Sequence, residues 1–277
     1  MRFLVRWRLV VLLLGAFIAA LGLSLLALSQ TRDDGALERI RVRGILHVGM
    51  DASFPPFAWL DRDGAPVGYE VELAEHIAAQ IGVRAQISNI AFDSLYDALQ
   101  AGRVDIIISE LTYDERRTRD VIYSPPYFDG GQLLIARALT EEGRGCEIEH
   151  LSQLLHGRRV AVEWGSAGDM QVRQLQGKPA RYFVLPYPSA EESLAALVSG
   201  EADVAIVDAV SAHQFMATHP NQLRMVCHLT HEPYVIATSA RSPRLAEAIR
   251  AALETLQREG VLDRLRERWL STALASP

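Results

Sequence analysis

Ala98-Leu-Gln-Ala-Gly-Arg-Val-Asp-Ile-Ile-Ile108 runs parallel to Ala196-Leu-Val-Ser-Gly-Glu-Ala-Asp-Val-Ala-Ile206. Each stretch reads as the end of an apolar helix, a Gly that stops it, and an Asp leading into an apolar run. Apolar runs of that length suit strands covered on both faces, as parallel sheets require. A looser echo links Leu46-His-Val-Gly-Met-Asp51 with Arg159-Val-Ala-Val-Glu163: both are strands that enter a loop rich in small residues or Pro. Helix–Gly–strand units are common in α/β proteins, so chance likeness is the competing reading. The reading adopted is a pair of similar α/β lobes.

Working outward, residues 44–131 together with 233–270 are expected to form the first lobe, and residues 132–232 the second. In the first, residues 70–81 place Val71, Ala74, Ile77, Ala78 and Ile81 on one helical face, closed by Gly82. Asp93 is expected to cap a second helix running to Ala101, and residues 104–108 to form a buried strand. Residues 242–270 read as an amphipathic helical pair broken at Gly260, and residues 271–277 as a tail. Parallel α/β lobes bind ligands at the carboxyl ends of their strands. Two such lobes joined by a hinge enclose a cleft.

The start of the chain is different. Arg2, Arg6 and Arg8 precede a stretch, residues 9–28, with no charged side chain. A basic start followed by an apolar run is an export signal. Its length suits either a cleaved signal peptide, cut before Gln30, or a retained membrane anchor. No Cys lies near it for lipid attachment. Residues 31–43 are expected as a linker. The chain of 277 residues has 49% hydrophobic and 22% charged residues and a net charge of −6. Loss of residues 1–30 removes three arginines and no acid, which leaves −9. That charge argues against nucleic acid as a partner. The two cysteines, Cys146 and Cys227, can pair after export, though sequence leaves this open. Nothing suggests a metal, a cofactor or a phosphate loop.

The residues now described resemble the bacterial extracellular solute-binding proteins of family 3, the polar amino-acid-binding proteins of ABC transporters. The resemblance rests on the segment from Gly68 to Ile81, on Asp51-x-x-Phe-Pro-Pro-Phe57, and on the Gly-x-x-Asp strand. It rests further on Glu115-Arg116-Arg117, on Tyr123-Ser-Pro-Pro-Tyr127, and on Gly200-x-Ala-Asp with the later Asp208. It covers about residues 44–270. It implies a two-lobed periplasmic binding protein fold of type II, a monomer in the periplasm or on the outer face of the membrane, and a membrane permease as partner. No enzyme activity is implied.

An amino acid needs a donor fork for its carboxylate, an acid for its ammonium, and a shaped wall for its side chain. By resemblance, Arg117, Thr112, Ser166 and the Ala167 backbone N–H take the carboxylate, and Asp208 takes the ammonium. Phe54 and Phe92 form the wall, and Asp51 reads the distal end. On sequence alone, Arg117 also reads as a solvated turn residue, Asp208 as a helix cap, and the two Phe residues as core. Glu110 departs from the Gly or Ser of many relatives: it either crowds the carboxylate subsite or pairs with Arg116. Glu110, Asp114 and Glu163 together would favour a basic ligand. The rivals are a cyclohexadienyl dehydratase-like enzyme, with Glu110 or Glu163 as general acid, and a membrane-tethered sensor.

Overall fold

The structure, a computed structural model, describes residues 33–138, 151, 154–175 and 181–270. Two five-stranded sheets organise it, beside a small sheet of β2 (Ser53–Phe54), β3 (Ala58–Leu60) and β4 (Pro66–Val67). The first sheet holds β1 (Ile45–Met50), β5 (Arg84–Asn89), β6 (Ile106–Ile107), β7 (Val121–Tyr123) and β15 (Ala237–Ser239), in the order β5-β1-β6-β15-β7. The second holds β9 (Gln132–Arg137), β10 (Arg159–Glu163), β11 (Phe183–Tyr187), β12 (Val204–Asp208) and β13 (Leu223–His228), in the order β11-β10-β12-β9-β13. In each sheet three strands run parallel, and a strand from beyond the crossover joins antiparallel to the third. The protein therefore has the two-lobed fold, and the echo in the sequence is an echo in topology.

One contact explains why the echo carries an Asp. Asp105 Oδ2 accepts the backbone N–H of His47 at 2.8 Å, at the start of β1. Asp203 Oδ2 accepts the backbone N–H of Arg159 at 2.8 Å, at the start of β10. Each carboxyl also holds an arginine: Arg43 Nη2 at 2.5 Å from Asp105 and Arg159 Nη2 at 2.7 Å from Asp203. The Asp of each repeat thus fastens the third parallel strand of its lobe to the first. The preceding Gly102 and Gly200 have φ of 69° and 83°, the left-handed turn that ends a helix without a Cβ penalty.

Both sheets are packed on two faces. The helix Tyr69–Ile81 buries Val71, Leu73, Ala74, Ile77, Ala78 and Ile81 against the first sheet, as its periodicity predicts. Full burial of side chains of this size contributes about 1.5–3 kcal/mol each. The helices Pro243–Arg258 and Val261–Leu270 pack on it, with Gly260 between them at φ 66°. Trp269 Nε1 and Arg268 Nη1 both donate to Glu72, at 2.6 and 2.7 Å.

Three details differ from expectation. Residues 36–43 are not linker: Ala36–Arg43 is a helix with Ala36, Leu37 and Ile40 buried, because its apolar side chains recur at helical spacing. Asp93 caps nothing. It lies inside a short 3-10 turn, Phe92–Ser94, that leads into the helix Leu95–Gln100. The apolar run 104–108 is buried as expected, but only Ile106 and Ile107 sit in the ladder. Cys227 is disulfide-bonded; Cys146, residues 1–32 and residues 271–277 lie outside the described residues.

The chain leaves the first sheet through β8 (Phe128–Asp129) and returns through β14 (Pro233–Tyr234), which pair antiparallel. These two crossovers are the hinge. They approach so closely that a Cβ on Gly130 would lie 2.4 Å from Tyr234 Oη, and one on Gly131 would lie 2.1 Å from the Thr230 carbonyl oxygen. An aromatic cluster supports them: Phe57 meets Phe128 and Tyr234 edge-on at 5.1 and 5.6 Å.

Candidate functional site

The carboxyl ends of the parallel strands carry the loops singled out in the sequence. After β1, Asp51 receives two constraints. Its backbone N–H donates to Ser109 Oγ at 3.0 Å, and its Oδ2 accepts the Phe92 N–H at 2.8 Å. The structure thus brings together Asp51, Phe92 and the β6 end. Phe54 and Phe92 are half-exposed, at 50% and 47%, so neither is core. Apolar rings left in water beside a strand end are the usual mark of a binding surface.

Glu110 does something the sequence did not suggest. It sits at φ 42°, a left-handed backbone that costs a non-Gly residue about 1–2 kcal/mol. Its backbone N–H donates to Glu70 Oε1 at 2.8 Å, and the Tyr127 hydroxyl donates to the same oxygen. Glu70 is fully buried. Burial raises the pKa of both carboxyls, and the nearby Glu70 raises Glu110 further. Two acids so close do not readily ionise together, so the pair holds a proton to higher pH than either carboxyl would alone. Glu70 Oε2 and Glu110 Oε1 are buried with no hydrogen-bond partner among the described residues. Glu110 therefore does not pair with Arg116. Arg116 instead makes a two-pronged contact with Asp114, Nε–Oδ1 at 2.9 Å and Nη2–Oδ2 at 3.0 Å. That contact holds the Asp114 carboxyl below its ordinary value. Of the three acids invoked for a basic ligand, Glu110 is thus pushed toward its neutral form and Asp114 is already paired.

Arg117 lies over the ring of Tyr96, with its guanidinium carbon 3.9 Å from the centroid. Its Nε is 3.6 Å from Asp114 Oδ2, and its side chain is 47% exposed. Stacking holds the long side chain in place while leaving its donors to solvent. It makes no hydrogen bond to another of the predicted ligand residues among the described residues. Thr112 is exposed, and its backbone bridges to Tyr234 on the returning crossover.

On the second lobe, β10 ends at Glu163 and the chain turns through Trp164 and Gly165 into the helix Ala167–Leu175. Ser166 Oγ accepts the Asp169 N–H at 3.1 Å and so caps this helix. The backbone N–H groups of Ala167 and Gly168 have no partner among the described residues. A helix start with free donors attracts anions. Asp208 ends β12 and caps the helix Ala209–Thr218, where its Oδ1 accepts the Ser211 N–H at 2.8 Å. The cap reading of Asp208 is thus correct as far as it goes. Only one oxygen is used, and Oδ2 has no hydrogen bond among the described residues.

The sequence model of the bacterial extracellular solute-binding proteins, family 3, matches residues 46–272. The chain belongs to this family. Its similarity to the L-cystine-binding protein TcyJ of Escherichia coli (strain K12) is 27% identity over 239 residues, covering 86% of each chain. It is also 27% identical to the probable ABC transporter arginine-binding protein ArtJ of Chlamydia trachomatis, over 80% of this chain and 84% of that one. Among solved structures, an ancestral cyclohexadienyl dehydratase matches with a TM-score of 0.69 at 25% identity, over 85% of this chain and 96% of that chain.

Several residues of this solute-binding protein's cleft region escaped the sequence reading. Glu70 was one, although an acid at the helical spacing of Leu73, Ala74 and Ile77 marks a buried carboxyl. Tyr234 was another. Burial raises the pKa of its hydroxyl, and the acids Glu232, Glu110, Asp208 and Glu70 add to the shift. Its hydroxyl therefore stands in the field of acids from both lobes. Trp164, 75% exposed beside Gly165, was passed over because a lone aromatic has no periodicity to declare it. Among the described residues, metal-ligating atoms cluster at Asp129, His228 and His231, on the crossovers rather than at the strand ends. No helix of the described residues is long and apolar enough to cross a membrane.

Proposed function

We propose that this solute-binding protein captures a free amino acid outside the cytoplasmic membrane and hands it to the permease of an ABC importer. In this reading the chain is exported by its N-terminal segment and works as a monomer. Residues 44–131 with 233–270 form one jaw, and residues 132–232 the other. The relatives named above bind L-cystine and arginine, which supports an amino acid as the ligand class.

The observation that carries the reading is the helix start at Ala167 and Gly168, with free backbone donors at the carboxyl end of β10. Those donors and the Ser166 O–H, which is free to donate while its oxygen caps, take the α-carboxylate. Arg117 and Thr112 supply the donors of the first lobe. The spare Oδ2 of Asp208 takes the α-ammonium. Phe54 and Phe92 flank the side chain, and Asp51 reads its distal end. With Glu110 held toward its neutral form and Asp114 paired, the charge argument for a basic ligand is left to Asp51 and Glu163. The reading is therefore a polar amino acid with N–H donors at its far end rather than a strictly cationic one. Binding closes the hinge because only the closed form lets both lobes touch the ligand at once.

Calorimetry with cystine, arginine, lysine, ornithine, histidine and glutamine tests the reading. At least one should bind, and Arg117→Ala should weaken it by about 100-fold. Near wild-type affinity in folded Arg117→Ala overturns the assignment. One observation favours a second reading, a dehydratase: burial, and after it the neighbouring Glu70, raise the Glu110 carboxyl above its ordinary pKa, the direction a general acid needs. Turnover of prephenate by the purified protein would establish the enzyme, and its absence removes that reading.

A further inference from the structure

The two crossovers carry a cluster that ligand capture does not use. Asp129 closes β8 on the outgoing crossover, His228 closes β13, and His231 lies on the return. Asp129 Oδ1 accepts the N–H groups of Gly131 at 3.1 Å and Glu232 at 2.8 Å. One backbone donor from each crossover thus fixes the plane of the carboxyl and turns Oδ2 toward two imidazoles. His231 Nδ1 is 2.6 Å from Oδ2, and His228 Nδ1 is 3.7 Å from it. The two rings lie nearly parallel, with centroids 5.3 Å apart and planes 17° apart. His228 Nδ1 is buried and has no hydrogen-bond partner. All three ligand atoms lie within 4.8 Å of one another.

We propose that Asp129, His228 and His231 form a binding site for a divalent transition-metal ion, zinc foremost, at the hinge. The donor set decides the class. Two imidazoles and one carboxylate suit zinc, copper or nickel, whereas calcium and magnesium require a cage of oxygens. Zinc bonds of about 2.0–2.1 Å in a tetrahedral site put neighbouring ligand atoms about 3.3 Å apart. The 2.6 Å contact has to open by about 0.7 Å and the 3.7 Å contact to close by about 0.4 Å, and the two imidazole nitrogens, within 4.8 Å of each other, have to turn to the same point. His231 is exposed enough to swing, with a side-chain exposure of 72%. The carboxyl is already oriented by its two backbone donors, the outer support that metal-binding carboxylates usually have. Three protein ligands leave a position for water. The orphaned nitrogen of His228 gains a partner when the ion binds, which removes a standing desolvation cost. An ion held here ties the edge of the second sheet to both crossovers at once.

The test uses the full chain, purified, stripped with a chelator and titrated with zinc chloride alone, with no amino acid present. Saturable binding of about one ion per chain is expected. His231→Ala, at an exposed position, should fold normally and weaken zinc binding at least about tenfold, as should His228→Ala. A large excess of magnesium should not compete. No saturable binding, or unchanged zinc affinity in folded His231→Ala, overturns the site. Because no amino acid enters the titration, either result leaves the ligand reading untouched.

Discussion

The two lobes share one framework and differ where the framework ends. Asp105 and Asp203 play the same part, each fastening the third parallel strand of its sheet to the first. Beyond the strands the likeness stops. The first lobe places a buried pair of acids, Glu70 and Glu110, under its loops and stacks Arg117 on Tyr96. The second lobe offers a capped helix with free N–H groups at Ala167 and Gly168, and a half-used carboxyl at Asp208. The repeated Asp residues serve the framework, and the capture proposed above is assigned to the loops that are not repeated.

The largest effect that would break this contrast is at Asp208. Asn keeps the helix cap but removes the negative charge. Asp208→Asn is expected to lower amino-acid affinity by about 100-fold while thermal stability changes little. A fall in stability without a fall in affinity would make Asp208 a framework residue like Asp203. The reverse pattern is expected for the clamps themselves. Asp105→Ala and Asp203→Ala each leave a strand N–H without its acceptor, so each should cost about 1–3 kcal/mol in denaturant unfolding. Ligand affinity of the folded variants should stay near wild type, since neither residue lies at the carboxyl end of a strand.

The acid pair sharpens the contrast through pH. Glu110 and Glu70 have folded pKa values above the ordinary 4.5. The folded protein therefore binds more protons than the unfolded chain above pH 4.5. Stability is full below that value and falls as pH rises through the raised pKa values. Glu110→Gln, which cannot ionise, should remove much of this alkaline loss. Unfolding curves at pH 5 and pH 8.5 should differ less in the variant, by roughly 1–2 kcal/mol. The smallest effect belongs to Ser166. Ser166→Ala deletes a helix cap and should cost about 1 kcal/mol of stability, together with a modest loss of affinity.

Local pattern made the framework legible. Helical spacing in residues 70–81, Gly102 and Gly200 as stops, and apolar runs after Asp105 and Asp203 each follow from short-range geometry and the need to bury apolar surface. The two lobes and the strand-end loops that carry Asp51, Phe92, Ser166 and Asp208 were already written there. The same reasoning missed the helix Ala36–Arg43, a short polar stretch that buries Leu37 and Ile40 and packs against the helix Pro243–Arg258 and β1.

The order of elements, the two-lobed plan and the positions of the loops follow from neighbours a few residues apart, so they are legible in the chain. The surroundings of each charge are set only by the folded contacts. Burial, and Glu70 forty positions earlier folded against it, raise the pKa of Glu110. Asp114 is neutralised by Arg116 and not left free for a ligand. Asp129 meets His231 across a hinge that joins residues a hundred positions apart. Electrostatics depends on distance through space and on burial, and neither is fixed until the chain has closed on itself.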